Sequence, residues 1–316
     1  MPSTTAAAEL RFRAMGCDVH VVVDGPRQLL QLARDRVEEL ERRWSRFQPG
    51  SEISRLNLLA GSPVQVSPVT LGLVRRALQG ARATGGRYDP TVLGDVLRAG
   101  YDRSFEQLAG HDPHAGSSLG RGWAEIVVDP AGSAITLPAG VGLDPGGIGK
   151  GYAADLLVAE LRAAGAAGVC VNLGGDLRVD GQPPGGGPWV VAIEHPLRPG
   201  PAATVTIARG AVATSSRMRR VWGPAGNRRH HLIDPATGRP AASGLAAVTV
   251  LAAEGWQAEV LAKAAFLGGL GQGPALLAAV GADGLLVDDH GGLHPTSGFG
   301  RFTAGPPGNA LQEVAG

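Results

Sequence analysis

Lysine is scarce in this chain. Of its 29 lysine and arginine residues only Lys150 and Lys263 are lysine, which leaves 27 arginines. Aromatic residues are also few, at 4%, and the formal net charge is only +1. Because nucleic-acid-binding proteins usually present a strong positive field, this balance argues against nucleic acid as a partner. Because arginine is used almost everywhere else, the two lysines call for an explanation in the chemistry of their own positions.

Cysteine is equally rare, and long apolar runs are missing. Cys17 and Cys170 are too few to build a disulfide framework, so we expect reduced thiols and a cytoplasmic location. The sequence has no stretch of about 18 consecutive apolar residues, so we expect no membrane span. The N-terminal segment carries Glu9, Arg11 and Arg13 in place of an apolar run, which is not the pattern of a signal peptide.

The chain does contain enough apolar material for a folded core. Hydrophobic residues make up 44% of it, and its 49 glycines and 23 prolines predict many turns. Helical patterns combine with mostly antiparallel strand patterns, which is typical of an α+β fold rather than a doubly wound one. We expect a single domain over residues 9–300, with tails at 1–8 and 301–316.

The predicted elements follow local sequence signals. Ser51 and Ser67 are expected N-caps of helices at 52–59 and 68–84. Further helices are expected at 27–47, 152–164, 254–268 and 272–280. Strands are expected at 9–13, 17–23, 125–129, 134–137, 141–144, 169–173, 189–194, 203–208, 211–214, 246–252, 284–288 and 292–294.

The glycine-rich segment from Asp144 to Gly151 is the first candidate binding site. It is not a P-loop, since Asp144 stands where that motif needs glycine and Gly151 where it needs serine or threonine. It is not a dinucleotide fingerprint either, because Tyr152 occupies the position of the third glycine. Backbone N–H groups at a helix start beside Lys150 still form a suitable diphosphate cradle. The alternative is a tight turn from a strand into a helix.

Two further polar motifs allow structural as well as functional interpretations. The segment 172–176, Asn-Leu-Gly-Gly-Asp, is either a binding turn or only a bulged β-turn. The segment 230–240 places two histidines, an aspartate and a threonine in one compact turn. Adjacent histidines on a strand point to opposite faces, which weakens the case for a metal site. One of His230 and His231 is therefore expected to face solvent.

Glu259 and Lys263 stand four residues apart in a predicted helix. As a solvated surface pair they would contribute only about 0.2–0.5 kcal/mol. Arginine, which dominates elsewhere, would serve that purpose equally well. The lysine therefore favours a more specific role over a surface salt bridge.

Seven segments between Ala14 and Gly269 resemble, in order, the motifs of the FAD:protein FMN transferase (ApbE) family. They are Met15-Gly-Cys17, the run from Phe47 to Asn57, Tyr88-Asp-Pro-Thr-Val92, the run from Leu143 to Asp155, Asn172-Leu-Gly-Gly-Asp176, Ala213-Thr-Ser-Ser216, and the run from His231 to Pro240. Each motif is weak alone, whereas the seven in order are specific.

The resemblance implies two intimately packed lobes with mixed, mostly antiparallel sheets, flanking helices, and FAD in the cleft between the lobes. Members of the family cleave the FAD diphosphate with a divalent metal, usually Mg²⁺. They transfer FMN through a phosphoester to a serine or threonine of a partner protein. The chain is thus expected to be a flavin transferase with FAD as donor and an acceptor protein in trans. Some members hydrolyse FAD to FMN and AMP, so hydrolysis, or FAD binding without transfer, is the alternative.

The resemblance also implies roles for individual residues. Lys150 would hold phosphate. Lys263 stands where the family has a metal-binding threonine, and it is itself expected to act in catalysis. His231 and Asp234 would position or deprotonate the acceptor hydroxyl. The other expected FAD contacts are Met15, Asn57, Asp89, Thr91, Gly146, Gly147, Asp155, Asn172, Gly174, Gly175, Asp176, Ser215 and Thr237.

The chain departs from the family pattern at the implied metal ligands, which are an aspartate, a threonine and a backbone carbonyl. Glu259 replaces the aspartate and Lys263 the threonine, while Gly149 would supply the carbonyl. An ammonium offers a metal no lone pair, and Mg²⁺ prefers octahedral oxygen ligands. Three interpretations stay open: Lys263 replaces the metal, the site binds flavin without transferring it, or a metal is held elsewhere.

Overall fold

The computed structural model describes residues 7–108, 117–224 and 228–303. The helices are α1 (Leu29–Trp44), α2 (Glu52–Leu58), α3 (Pro68–Ala83), α4 (Leu93–Arg98), α5 (Gly149–Ala163) and α6 (Gly255–Ala279). The strands are β1 (Ala8–Ala14), β2 (Cys17–Asp24), β3 (Pro63–Gln65), β4 (Val127–Asp129), β5 (Ala134–Thr136), β6 (Gly168–Leu173), β7 (Asp176–Gly181), β8 (Trp189–Glu194), β9 (Pro201–Ile207), β10 (Gly210–Ser216), β11 (Val221–Trp222), β12 (Arg229–His230), β13 (Ile233–Asp234), β14 (Arg239–Pro240), β15 (Leu245–Ala252), β16 (Asp283–Asp288) and β17 (Leu293–Pro295).

An eight-stranded antiparallel sheet forms the centre of the molecule, in the order β1-β2-β6-β7-β10-β15-β16-β17. β6 is buried along its whole length. Because successive strand residues point to opposite faces, β6 contributes to two cores. Val169, Val171 and Leu173 join the larger core with α1, α3 and α5, whereas Cys170 joins a smaller core with β8 and β9. The sheet is therefore covered on both faces.

Local signals account for the starts of two helices. The hydroxyl of Ser51 accepts the N–H of Ser54 at the start of α2. Ser67 accepts the N–H of Thr70 in the same way at the start of α3. Both expected N-caps are therefore confirmed, since each hydroxyl satisfies an amide that has no partner within its helix.

Helix α6 lies against β10 and β15 and carries both Glu259 and Lys263. The backbone breaks at Gly269 (φ 60°, ψ −169°), between the two helices predicted there. By length and composition alone, Gly255–Ala279 is long and apolar enough to cross a membrane, although half of its most apolar window is buried in the protein. The absence of a membrane span therefore stays a prediction.

Several sequence predictions differ from the structure. The expected strand at 141–144 forms only an isolated bridge between Val141 and Gly120. Strand β7 was missed because its buried Arg178 interrupts the apolar pattern expected of a central strand. The chain also remains folded past residue 300, since Phe302 packs against the smaller core. The rest of the tails predicted at 1–8 and 301–316, namely 1–6 and 304–316, lies outside the described residues.

Candidate functional site

A cleft with two adjoining halves, of about 370 and 350 Å³, opens beside the ends of α5 and α6. The aromatic half is lined by residues that include Met15, Trp44, Phe47, Val96 and Tyr101. The polar half is lined by residues that include Cys17, Gly174, Asp176, Thr214, Ser215, Ser216 and Arg219. The section shared by both halves consists of Gly16, Phe105, Glu106, Gly146, Lys150, Arg220, His231, Glu259 and Lys263.

The hairpin between β1 and β2 places Met15 in the aromatic half. Ala14 pairs with Cys17, so Met15 and Gly16 form the two-residue turn. Both have left-handed φ values, 53° and 64°, as a type I′ turn requires. The turn therefore sets the apolar Met15 side chain at the cleft with the backbone of Gly16 beside it.

Most backbone N–H groups of the glycine-rich segment before α5 have hydrogen-bond partners within the protein. The N–H of Gly146 donates to Asp144 Oδ1, at 3.0 Å, and those of Ile148 and Gly149 donate to the carbonyl of Pro145. The N–H of Gly151 donates to Glu259 Oε2, at 2.8 Å. Four of the segment's amides are therefore occupied, which weakens the case for a backbone cradle, and the predicted diphosphate contact of this segment stays a prediction. The alternative, a tight turn into a helix, describes the geometry of this segment.

Lys150 brings one cation to the shared section. Its ammonium donates to Asp176 Oδ2. The other carboxylate oxygen of Asp176 accepts the N–H of Thr214. Burial alone lowers the pKa of Lys150, but Asp176 and Glu259 outweigh it and raise the pKa. Lys150 is therefore charged at neutral pH.

The N-terminal ends of α5 and α6 meet backbone to backbone. An ideal Cβ on Gly255 would lie 2.5 Å from the carbonyl oxygen of Gly151, so neither position has room for a side chain. Asp155 accepts the N–H groups of Gly255 and Trp256, at 2.7 and 3.0 Å, and an N–H of Arg178 at 3.0 Å. Asp155, expected to contact FAD, instead holds the start of the helix that carries Glu259.

Glu259 and Lys263 lie in the cleft, so the interpretation as a solvated salt bridge is wrong. Burial, with Asp176 nearby, raises the pKa of Glu259 to about 7. Burial lowers the pKa of Lys263 despite Asp144 and Glu259 close by. In the described part of the chain, no acceptor lies within hydrogen-bond or ion-pair range of the Lys263 ammonium. An ideal Cβ on Gly147 would lie 2.5 Å from Lys263 Nζ, so a side chain at residue 147 would displace this ammonium from its position.

The side chains at the implied metal position do not fit Mg²⁺. Over residues 7–108, 117–224 and 228–303, no group of three or more histidine, cysteine or acidic residues could hold a metal ion. Glu259 uses one oxygen to accept the Gly151 N–H, and Lys263 places a cation where an oxygen ligand is implied. Gly149 lines the aromatic half, but one carbonyl cannot replace the missing donors.

The two adjacent histidines have different surroundings. His230 is buried rather than solvent-facing, and its ring contacts the carbonyl of Ala241 and the N–H of Leu232, which makes it structural. His231 lines both halves of the cleft, and its Nδ1 is buried without a hydrogen-bond partner among the described residues. Burial, with Arg220 and Lys263 nearby, lowers its pKa well below 6.5. The imidazole is therefore neutral and able to accept a proton.

Several predicted site residues, both FAD contacts and the predicted catalytic Asp234, are not brought to the cleft. Asp89 accepts the N–H and hydroxyl of Thr91 within a buried turn. Asp234 accepts the N–H of Ala236, and Thr237 lies in the same exposed turn. The side-chain amide of Asn57 donates to the carbonyl of Leu143 and accepts its N–H. It therefore supports the segment 141–144, which was expected to be a strand. These side chains are occupied in local structure.

The turn between β6 and β7 is brought to the cleft in part. Asn172 accepts the N–H of Gly175 and braces the turn, whereas Gly174 and Asp176 line the polar half with Ser215. Both glycines have left-handed φ values, and a Cβ on Gly174 would lie 2.7 Å from the Cβ of Cys17. The segment is thus both a required turn and one wall of the site.

Four arginines that line the cleft, Arg13, Arg46, Arg219 and Arg220, were not in the predicted site. Arg220 lines both halves with a left-handed backbone (φ 50°), and its guanidinium has no acceptor within range among the described residues. Arg46 stacks against the rings of Phe47 and Tyr101 and lies 3.7 Å from Asp144. The run of arginines near His231 was the only sequence signal for Arg220, and nothing in the sequence distinguished Arg46.

The fold is α+β, and its cleft combines an aromatic half with a shared section lined by three cationic side chains, Lys150, Arg220 and Lys263. The chain belongs to the ApbE family, since the model of that family matches residues 15–286. The predicted family resemblance and the predicted α+β fold are both confirmed.

Relatives and solved structures agree with this assignment. The FAD:protein FMN transferase of Treponema pallidum is 34% identical over 257 residues, which cover 75% of this chain and 70% of the relative. That of Rhodobacter capsulatus is 31% identical over 265 residues, 82% of this chain, which spans only 50% of the relative's length. The ApbE protein of Thermotoga maritima superposes with a TM-score of 0.86 at 27% identity, covering 95% of this chain and all of the other. The apo flavinyl transferase ApbE of Pseudomonas stutzeri gives 0.81 at 26%, covering 95% and 98%.

Proposed function

We propose that the protein transfers FMN from FAD, through a phosphoester, to a serine or threonine of a partner protein. The observation that carries this proposal is the shared section, where Lys150, Lys263 and Arg220 surround the neutral imidazole of His231. Cations that face one point suit a diphosphate, and a neutral imidazole beside them suits a hydroxyl nucleophile. The curated relatives named FAD:protein FMN transferase support the same reaction.

The proposed reaction is one phosphoryl transfer. The acceptor hydroxyl oxygen bonds to the phosphorus on the FMN side, and the bond from that phosphorus to the bridging oxygen breaks. AMP leaves with the bridging oxygen, and His231 takes the hydroxyl proton. The cationic side chains stabilise the negative charge on the phosphate oxygens, which is the main demand of this chemistry. The aromatic half binds a planar ring of FAD.

Lys263 takes the place of the metal in this proposal. Its ammonium lies beside Glu259 and has no acceptor in the described residues, so its charge is available to a bound diphosphate. A compact ammonium resembles a metal ion more closely than the planar fork of arginine does. This explains why a chain with 27 arginines retains lysine at residue 263. The cytoplasmic location and the acceptor in trans stay predictions.

FMN transfer is expected to survive metal removal. The protein is incubated with FAD and a candidate acceptor, with EDTA or with added Mg²⁺, and the acceptor mass and free AMP are measured. Equal transfer under both conditions supports a metal-free site. Loss of transfer in EDTA with recovery in Mg²⁺ would show that a metal is required. AMP release without a modified acceptor would identify hydrolysis, and retained FAD with neither product would identify a binding protein.

His231→Gln is expected to reduce the rate of transfer about 10²- to 10⁴-fold, the usual contribution of a general base. Because the pKa of His231 is lowered, the wild-type imidazole stays neutral at pH 6.5 and protonates only in more acidic solution. The wild-type rate therefore falls on the acid side, and the variant lacks this dependence. Glu259 titrates near 7 in both proteins, so the ratio of the two pH profiles isolates His231. An unchanged ratio at all pH values contradicts the assignment.

A further inference from the structure

The polar half of the cleft contains a stretch of central strand with a neighbour on only one side. β10 pairs with β15 from Ala211 to Ser216, but with β7 only from Gly210 to Val212. β7 begins at Asp176, where the chain enters from the turn at Gly174 and Gly175. The last three residues of β10, Thr214–Ser216, therefore have an open edge with no neighbouring strand. All three line the polar half, where Thr214 is exposed and Ser215 and Ser216 are largely buried.

Backbone hydrogen-bonding groups of this open edge face the cleft. The N–H of Thr214 donates to the side chain of Asp176, at 3.3 Å, so it points toward the β7 side. Backbone groups alternate between the two sides of a strand, so those of Ser216 point the same way. In the described sheet no strand lies beside Ser216 on this side, because β7 begins only at Asp176. Exposed strand edges are templates for pairing with another chain.

The opposite wall leaves space beside this edge. It is the turn at Gly174 and Gly175, which has no side chains. The side chain of Arg219 crosses toward it, 3.7 Å from where a Cβ on Gly175 would lie. Arg219 is held by an ion pair with Glu194 at 3.0 Å, in which both side chains are about half exposed. Such exposed pairs contribute about 0–1 kcal/mol, so Arg219 can move aside at little cost.

We propose that the acceptor segment of the partner protein binds in an extended conformation, as an added strand paired with Thr214–Ser216. The inference rests on the proposed function and specifies how the acceptor is recognised. Because backbone pairing does not depend on side chains, the site would bind acceptor segments of many sequences, provided that each is extended and carries a serine or threonine. It also brings that hydroxyl toward His231 and Lys263, which line the same half of the cleft.

Backbone methylation of a peptide tests this pairing. The probe is a seven-residue peptide with one central threonine, offered to the full chain with FAD, and FMN addition is followed by mass spectrometry. A matched series carries a single N-methyl group at each successive position. Methylation of the amides that face β10 is expected to lower kcat/KM at least tenfold, and methylation of the alternate amides to change it less than twofold. Hydrogen exchange at the Ser216 amide is expected to slow when the peptide is bound.

The outcomes separate this inference from the function on which it rests. Transfer to the peptide without an alternating pattern overturns the added strand and leaves flavin transfer intact. Transfer with unchanged exchange at Ser216 does the same. If no peptide and no protein acceptor gains FMN mass, the proposed transferase function fails, and the docking mode fails with it.

Discussion

Lys263→Met is expected to lower kcat/KM for FMN transfer by about 10²- to 10³-fold while leaving the folded protein at least as stable. Methionine fills a similar volume but removes a charge that faces the diphosphate, and the loss of one such preorganised group costs about 2.7–4 kcal/mol of transition-state stabilisation. The pKa of Lys263 is lowered, so its charged form is less favourable in the folded than in the unfolded chain. Removing that charge therefore raises the free energy of unfolding.

Steady-state kinetics and thermal unfolding of the same preparations check both parts of this prediction. Arg209→Met is the matched control, since Arg209 has a side-chain exposure of 72% and is not among the cleft residues. It is expected to change neither quantity. Full activity in Lys263→Met, or a parallel loss of activity and stability, contradicts a direct role for the ammonium.

The double variant Lys263→Thr with Glu259→Asp extends the test. It restores the residue types of the implied metal site while the rest of the cleft is unchanged. We expect FMN transfer that is low in EDTA and recovers with Mg²⁺, unlike the wild type. Metal-independent activity in the double variant would mean that Lys263 does not substitute for a metal.

Gly255→Ala is expected to destabilise the protein by about 3 kcal/mol and to reduce flavin transfer as well. The new Cβ would lie 2.5 Å from the carbonyl oxygen of Gly151, which is closer than carbon and oxygen can pack. Overpacking of this kind typically costs about 1–3 kcal/mol, and a backbone partner cannot rotate away as a side chain does. The helix that carries Glu259 and Lys263 has to shift, which displaces both from the cleft.

Denaturant unfolding with a control in the part of α6 beyond the break at Gly269 checks the steric argument. Gly271 also lies in α6, but an ideal Cβ added to it meets no other atom within 4 Å. Gly271→Ala should therefore stabilise the helix by about 0.5–1 kcal/mol through reduced chain entropy. A similar small effect of both substitutions would show that the contact between α5 and α6 is not tight.

Features governed by nearby residues were predictable from the sequence. The caps at Ser51 and Ser67 need only a hydroxyl and the following turn, so the pattern identified them. The break between two helices near Gly269 was also expected, because glycine tolerates the left-handed φ found there. Ordered motifs likewise predicted the α+β fold and the convergence of Lys150 and His231 in one cleft.

Features that depend on distant partners were not predictable. Asp155 looked like a ligand residue because its motif is rich in glycine, but its partners Gly255 and Trp256 lie 100 and 101 residues away. Asp89 and Asp234 carry polar patterns that serve a site and a turn equally well, and only the fold shows that each is used by its own turn. Arg220 reaches the cleft through an unusual backbone conformation that no local pattern indicated.

The hydrogen bond from Gly151 to Glu259 joins residues 108 positions apart, and that from Gly255 to Asp155 spans 100. Closing loops of this length carries an entropic cost before any contact compensates for it, so such pairings form late in folding. Glu259 and Lys263 therefore reach Lys150 only after α5 and α6 have docked. A nascent chain that lacks α6 has neither residue, so the proposed diphosphate site would be complete only in the fully folded chain.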